Sequence, residues 1–159
     1  MAVNRGKQFE DVIREAFEKV PNVSIDRLHD QTTKFKGTSA NICDFIVYRE
    51  PYEYYFECKS INRGAFPFSN ITDTQWNGLL QKSQIEGVFA GIIVWYIDKD
   101  ATFFIPIQIL NQDKSIGHKS MSCKSCYEYP SIVEITGKKK RVFFEYDMEK
   151  FLNEIQYNR

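Results

Sequence analysis

"YYFECKS" (residues 54–60) decides how this chain is read. Two tyrosines and a phenylalanine begin it as a buried strand begins. Side chains alternate along a strand. Tyr54, Phe56 and Cys58 therefore fall on one face, and Tyr55, Glu57 and Lys59 on the other. An acid and a base arrive where the apolar pattern would continue. The preceding run, "ICDFIVYR" (42–49), is a second strand, joined to the first by the turn Glu50-Pro51-Tyr52. If the two pair as a hairpin, Asp44 comes to lie beside the end that carries Glu57 and Lys59.

That grouping suits metal-assisted phosphodiester hydrolysis. Mg²⁺ takes oxygen ligands and usually holds one or two carboxylates with water and substrate phosphate. Asp44, Glu57 and the main-chain carbonyl of Cys58 are the candidate ligands, with Mn²⁺ able to substitute. Lys59 is the candidate catalytic base or charge stabiliser, a role for which arginine is less suited because it does not lose its proton. The alternative is a structural ion pair at a strand end. Lys59 is the only lysine with an acid two residues before it, and that pair lies on an expected central strand after an Asp-bearing one.

The rest of the chain supports an α/β domain with a mixed sheet. Residues 4–20 place Phe9, Val12, Ile13, Ala16, Phe17 and Val20 at helical spacing. Residues 23–29 alternate as a strand, and 31–41 read as a polar loop or hairpin tip. A helix is expected over 72–87, with Thr72 or Asp73 as its cap, then apolar strands at 88–98 and 102–107. Residues 111–131 show little periodicity. Short strands are expected at 131–135 and 141–146 around "TGKKK", and a helix capped by Asp147 over 147–158. With 159 residues and no linker or repeat, one domain spanning 1–159 is expected.

Composition excludes some classes. Twenty-one basic residues balance 21 acidic ones, so bulk charge gives no sign of a strongly cationic nucleic-acid binder, and any basic surface must be local. No apolar leader follows Met1, and the longest apolar run, 88–97, is too short for a spanning helix; a cytoplasmic, membrane-free location is the expectation. In that compartment Cys43, Cys58, Cys123 and Cys126 are expected to be reduced. The lone CxxC at 123–126 lacks the second ligand pair of a structural zinc site.

Asp44 followed thirteen positions later by Glu57-Cys58-Lys59 resembles the PD-(D/E)xK nuclease superfamily. More narrowly, the chain resembles the RecU-like Holliday-junction resolvases. The likeness runs from about Asn4 to the last helix. It includes the opening helix motif "NRGKQFED" (4–11) and the strand "YYFECKS" with "FPFSNITDTQW" (66–76) after it. It continues through "GVFAGIIVWYIDKDATFFIPIQIL" (87–110) and "DKSI" (113–116). A shared order of several motifs is more specific than the acid-x-lysine pattern alone. The resemblance implies a restriction-endonuclease-like fold and a Mg²⁺-dependent homodimer that nicks four-way DNA junctions in recombination and repair. It implies Asp44 and Glu57 as metal ligands, Lys59 as the catalytic lysine and Glu10 as a helix-borne acid completing or supporting the metal shell. It also implies Gln75 near the water or scissile phosphate and Arg5 as a phosphate contact or site support. Lys34, Lys36 and Arg63 are further candidate DNA contacts, with the run "KKKR" (138–141) beside them.

Two departures matter. The family's histidine before the glutamine is Thr74 here. The family's long basic stalk between its first two strands is reduced to about residues 29–41. A restriction- or repair-type nuclease acting on duplex DNA, or an inactive DNA-binding protein of the same fold, are the alternatives these departures leave open.

Overall fold

The computed structural model describes residues 4–29 and 40–158. Lys34 and Lys36, with most of the shortened stalk, lie outside the described residues. The chain begins with helix α1 (Arg5–Glu18) and strands β1 (Ser24–Arg27), β2 (Phe45–Arg49) and β3 (Tyr52–Ile61). After β4 (Phe66–Pro67) and a short 3₁₀ turn come α2 (Asp73–Lys82), β5 (Val88–Tyr96), β6 (Ala101–Pro106) and α3 (Ile107–Ser115). Small elements follow: β7 (Ser120–Met121), α4 (Cys123–Cys126), β8 (Val133–Glu134), β9 (Gly137–Lys139) and β10 (Phe144–Tyr146). Helix α5 (Met148–Tyr157) closes the order.

The main sheet runs β1-β2-β3-β5-β6-β8. Strands β3 and β5 are parallel, joined by the α2 crossover, and the other neighbours are antiparallel. The mixed sheet flanked by helices that the sequence implies is thus present. The β2–β3 hairpin forms with Phe45 opposite Phe56, as strand alternation requires.

Both faces of β3 are buried, each in its own core. Tyr54, Phe56 and Cys58 pack with Phe9, Ile13 and Phe17 of α1 and Phe151, Leu152 and Ile155 of α5. Tyr55 faces the other way, into a core with Trp76 and Leu79 of α2 and Ile107 and Leu110 of α3. Phe56 is the hub of the first core. Its ring lies 5.6 Å from Phe17, 5.3 Å from Phe104 and 5.7 Å from both Tyr54 and Phe151. Among the described residues no helix is long and apolar enough to cross a membrane.

The structure corrects three readings of the second half. The helix expected to reach residue 87 ends at Lys82, and Gly87 instead turns the chain into β5 with φ +80°. The stretch after β6 forms α3, which the sequence hid because its inward positions are Ile107, Leu110 and an acid, Asp113. Asp113 is buried, accepts a hydrogen bond from the Tyr129 hydroxyl, and has His118 Nδ1 3.3 Å from its other oxygen. "TGKKK" is not the turn between two strands: Gly137–Lys139 is itself the strand that pairs with β10. A side chain at 137 would put a Cβ 2.2 Å from the Glu145 carbonyl oxygen, so only glycine lets the two backbones close.

Truncating the hub tests this packing. Phe56→Ala is expected to cost about 3–5 kcal/mol of unfolding free energy in chemical denaturation, the usual range for a buried aromatic. Loss of under about 1 kcal/mol would mean that α1 and α5 do not converge on this ring.

Candidate active site

The β2–β3 ladder ends where the site begins. Asp44 N–H donates to the Phe56 carbonyl at 3.1 Å, the last rung. Two residues along β3, the Cys58 N–H leaves by the same edge and has no β2 carbonyl to meet. It donates instead to Asp44 Oδ2 at 2.8 Å. A main-chain donor thus fixes one carboxylate. The N–H and C=O of a strand residue leave by the same edge, so the Cys58 carbonyl also faces the Asp44 side.

Glu57 is 4% exposed, a rare state for an acid. Its Oε1 accepts from Gln75 Nε2 at 2.8 Å and is paired with Lys59 Nζ at 3.0 Å. Gln75 sits in the first turn of α2, where Thr72 caps the helix. Asp44, Glu57, Lys59 and Gln75 therefore meet, as the sequence implies.

The two carboxylates act on each other. Burial, then the charge of Glu57, pushes the Asp44 carboxyl up to about 7, against the Cys58 N–H bond and Lys59, which favour its ionised form. Burial also raises Glu57, opposed chiefly by Lys59, while Asp44 donates to it. Near neutrality the raised Asp44 carboxyl favours one proton on the coupled pair. A divalent cation is the natural replacement for that proton, and two carboxylates are what Mg²⁺ ordinarily takes from a protein. The donor set fits a hard cation.

Glu10 stands beside this pair. Arg27 grips two acids of α1 at once, Nη2 to Glu10 Oε2 and Nη1 to Asp11 Oδ1, each at 2.8 Å. The charge of Glu10 contributes to raising Glu57 and Cys58. Among the described residues no group of three or more His, Cys, Asp and Glu side chains forms a metal-holding cluster. Glu10 thus borders the pair as a charge held by Arg27. A polar hollow of about 370 Å³ connects the two, lined by Asn4, Gly6, Lys7, Glu10, Arg27, Leu28, His29 and Asp44.

Arg5 opens α1 and is exposed, and Arg63 is exposed in the loop after β3; neither lines this hollow. Arg27, Lys7 and the capping role of Gln75 were not singled out from the sequence. Arg27 carried a signal: it alternates with Ile25, on the inward side of β1. In the CxxC, Cys126 is buried 3.7 Å from the Tyr96 hydroxyl, and burial pushes its thiol up to about 12.

The sequence model of the family described as "Recombination protein U" matches residues 4–146. The chain belongs to the recombination protein U family. The resemblance to RecU-like resolvases, and with it a place in DNA recombination, is borne out at the level of the family. Among solved structures, the chain is similar to Hjc, a Holliday junction resolvase from Archaeoglobus fulgidus, at 16% identity and a TM-score of 0.47. That likeness covers 75% of this chain and 85% of that one. A comparison with curated proteins found no match.

Asp44 yields a stability prediction independent of any reaction. Its folded pKa is raised, so between about pH 4 and 7 the folded state binds more protons than the unfolded chain. Stability contributed by that proton is present at low pH and lost as pH rises through about 7. Asp44→Asn is expected to remove this slope and to stabilise the metal-free protein above pH 7 by on the order of 2 kcal/mol. Denaturation midpoints from pH 4 to 8 check it; parallel curves for the two proteins would refute it.

Proposed function

We propose that this protein is a metal-dependent endodeoxyribonuclease that hydrolyses phosphodiester bonds in branched DNA, with four-way junctions as the preferred substrate. The observation that carries the reading is the pair of half-buried Asp44 and buried Glu57, with Lys59 and Gln75 on Glu57, in a chain of this recombination family. Asp44, Glu57 and the Cys58 carbonyl hold Mg²⁺, with Mn²⁺ able to substitute, and Glu10 supports them from α1. When bound, the metal polarises the scissile phosphate and acidifies a water.

The chain's own groups do the rest. Gln75 and Lys59 keep Glu57 ionised and fixed by donating to it. Lys59 orients the attacking water and neutralises charge that gathers on the phosphoryl oxygens. Arg27, from β1, pairs with Glu10 and fixes that carboxylate beside the site. Arg5, Arg63, Lys34 and Lys36 supply phosphate contacts along the DNA arms. A junction has two strands to cut symmetrically, so a homodimer with two sites about a two-fold axis suits the substrate. Residues 1–159 act as one nuclease domain, at work wherever the cell keeps its DNA, which for a bacterial or phage protein is the cytoplasm.

The test is cleavage of labelled four-way junction, flap, linear duplex and single strand with Mg²⁺. Junction cutting at symmetric positions is expected, and Lys59→Ala should lower the rate about 10²–10³-fold while leaving junction binding intact. Faster cutting of linear duplex would favour a restriction- or repair-type enzyme. Binding without cutting of any substrate would leave a DNA-binding protein and refute the nuclease reading.

A further inference from the structure

The first turn of α2 carries two loads. Thr72 Oγ1 accepts the Gln75 main-chain N–H at 3.2 Å, and Gln75 Oε1 accepts the Thr72 main-chain N–H at 3.0 Å. This reciprocal pair is a capping box, which starts a helix by satisfying donors that have no carbonyl partner. The other end of the same amide donates from Nε2 to Glu57 Oε1 at 2.8 Å. Resting on the nuclease reading above, we propose that Thr72 is a positioning residue. Its main-chain N–H decides which end of the Gln75 amide faces the carboxylate pair.

An amide side chain has two ends of opposite hydrogen-bonding sense. A main-chain N–H can only donate, so it takes the amide oxygen. The nitrogen is then the end left facing Glu57. Turned over, the amide would set its oxygen against a carboxylate oxygen and its hydrogens against an N–H, and both bonds would be lost. The box makes that choice before any DNA arrives. Glu57 is too buried to recruit bulk water in place of the lost donor.

The residue type at 75 supports the argument. A capping box accepts glutamate as readily as glutamine at this position. Glutamate would keep the bond to Thr72 N–H but would bring a third carboxylate to Asp44 and Glu57. An amide serves both partners. Family motifs point to Gln75 itself; the Thr72 main chain enters only through the structure.

The backbone supplies a clean test. Thr72 has φ −69° and ψ 158°, and Ile71 before it has φ −99° and ψ 123°. Both conformations suit a proline at 72. Thr72→Pro removes both Oγ1 and the orienting N–H, whereas Thr72→Ala removes Oγ1 and the methyl group and keeps the N–H. In metal-free protein, the Gln75 side-chain NH₂ signals in ¹H–¹⁵N spectra, assigned by their loss in Gln75→Ala, report the orientation directly. Wild type and Thr72→Ala should show one NH₂ proton shifted downfield and protected from solvent exchange by its bond to Glu57, and Thr72→Pro a pair at free-amide shifts in fast exchange with solvent. In cleavage assays kcat should fall about 10²-fold from Thr72→Ala to Thr72→Pro, with junction affinity unchanged. Gln75→Glu should keep the bond to the Thr72 N–H, melt below the wild-type temperature because a carboxylate replaces the donor to buried Glu57, and lose kcat to a similar degree. Equal amide spectra and equal kcat in the proline and alanine variants would overturn the proposal. If Thr72→Pro does not fold, the wild-type and Thr72→Ala spectra decide: free, fast-exchanging Gln75 NH₂ protons overturn the proposal, and a protected, downfield-shifted proton supports it. Should wild type cut no DNA, the nuclease reading falls, and the amide spectra still decide whether Thr72 orients Gln75.

Discussion

One hydrogen bond organises this protein's chemistry: the Cys58 N–H to the carboxylate of Asp44. Strand β3 is longer than its partner β2, so its ladder runs out of carbonyls at that edge. A buried N–H without a partner is costly. The chain answers with a side chain in place of a strand, and the side chain it uses is an acid. Satisfying the backbone and placing a carboxylate beside Glu57 are therefore the same event. The second carboxylate follows without further choice, because Glu57 is the neighbour of Cys58 and must point across the sheet from it.

The aromatic core supplies the rigidity this placement needs. Phe56, next to Glu57, is clamped between α1 and α5, and Tyr54 stacks on Phe89 across the parallel β3–β5 pair at 5.2 Å. The same residues that fill the core thus set the position of the acids between them. The cost of the arrangement is electrostatic. Two carboxylates share a small volume, and Lys59 and the Cys58 N–H offset only part of their repulsion.

What could be read from the sequence divides along physical lines. Period-two alternation gave the faces of β3, and with a hairpin it brought Asp44 beside Glu57 and Lys59, so the central pair was legible. The opening helix was legible from its apolar spacing, because its inward residues are uniformly hydrophobic. Helix α3 was not, since a buried acid interrupts its pattern, and β9 was not, since an exposed run of lysines has no inward face to reveal it. At the site, Thr72 and Gln75 have the spacing of a capping box, which marks a helix start. That the same glutamine also holds Glu57 depends on where the crossover lands α2 against β3. Arg27 could be placed on the inward side of its strand, but its two acceptors belong to another element.

The borders of the sheet bear on how this protein meets other molecules. One outer strand, β1, has four residues and turns Ser24 and Asp26 to the outside; the other, β8, pairs through only two. Unpaired strand borders are where chains stick to one another, and short, charged ones resist it. Neither border here offers enough regular backbone to template an added strand. The sheet that holds Asp44, Glu57 and Lys59 is thereby kept out of edge-to-edge, fibrous assembly.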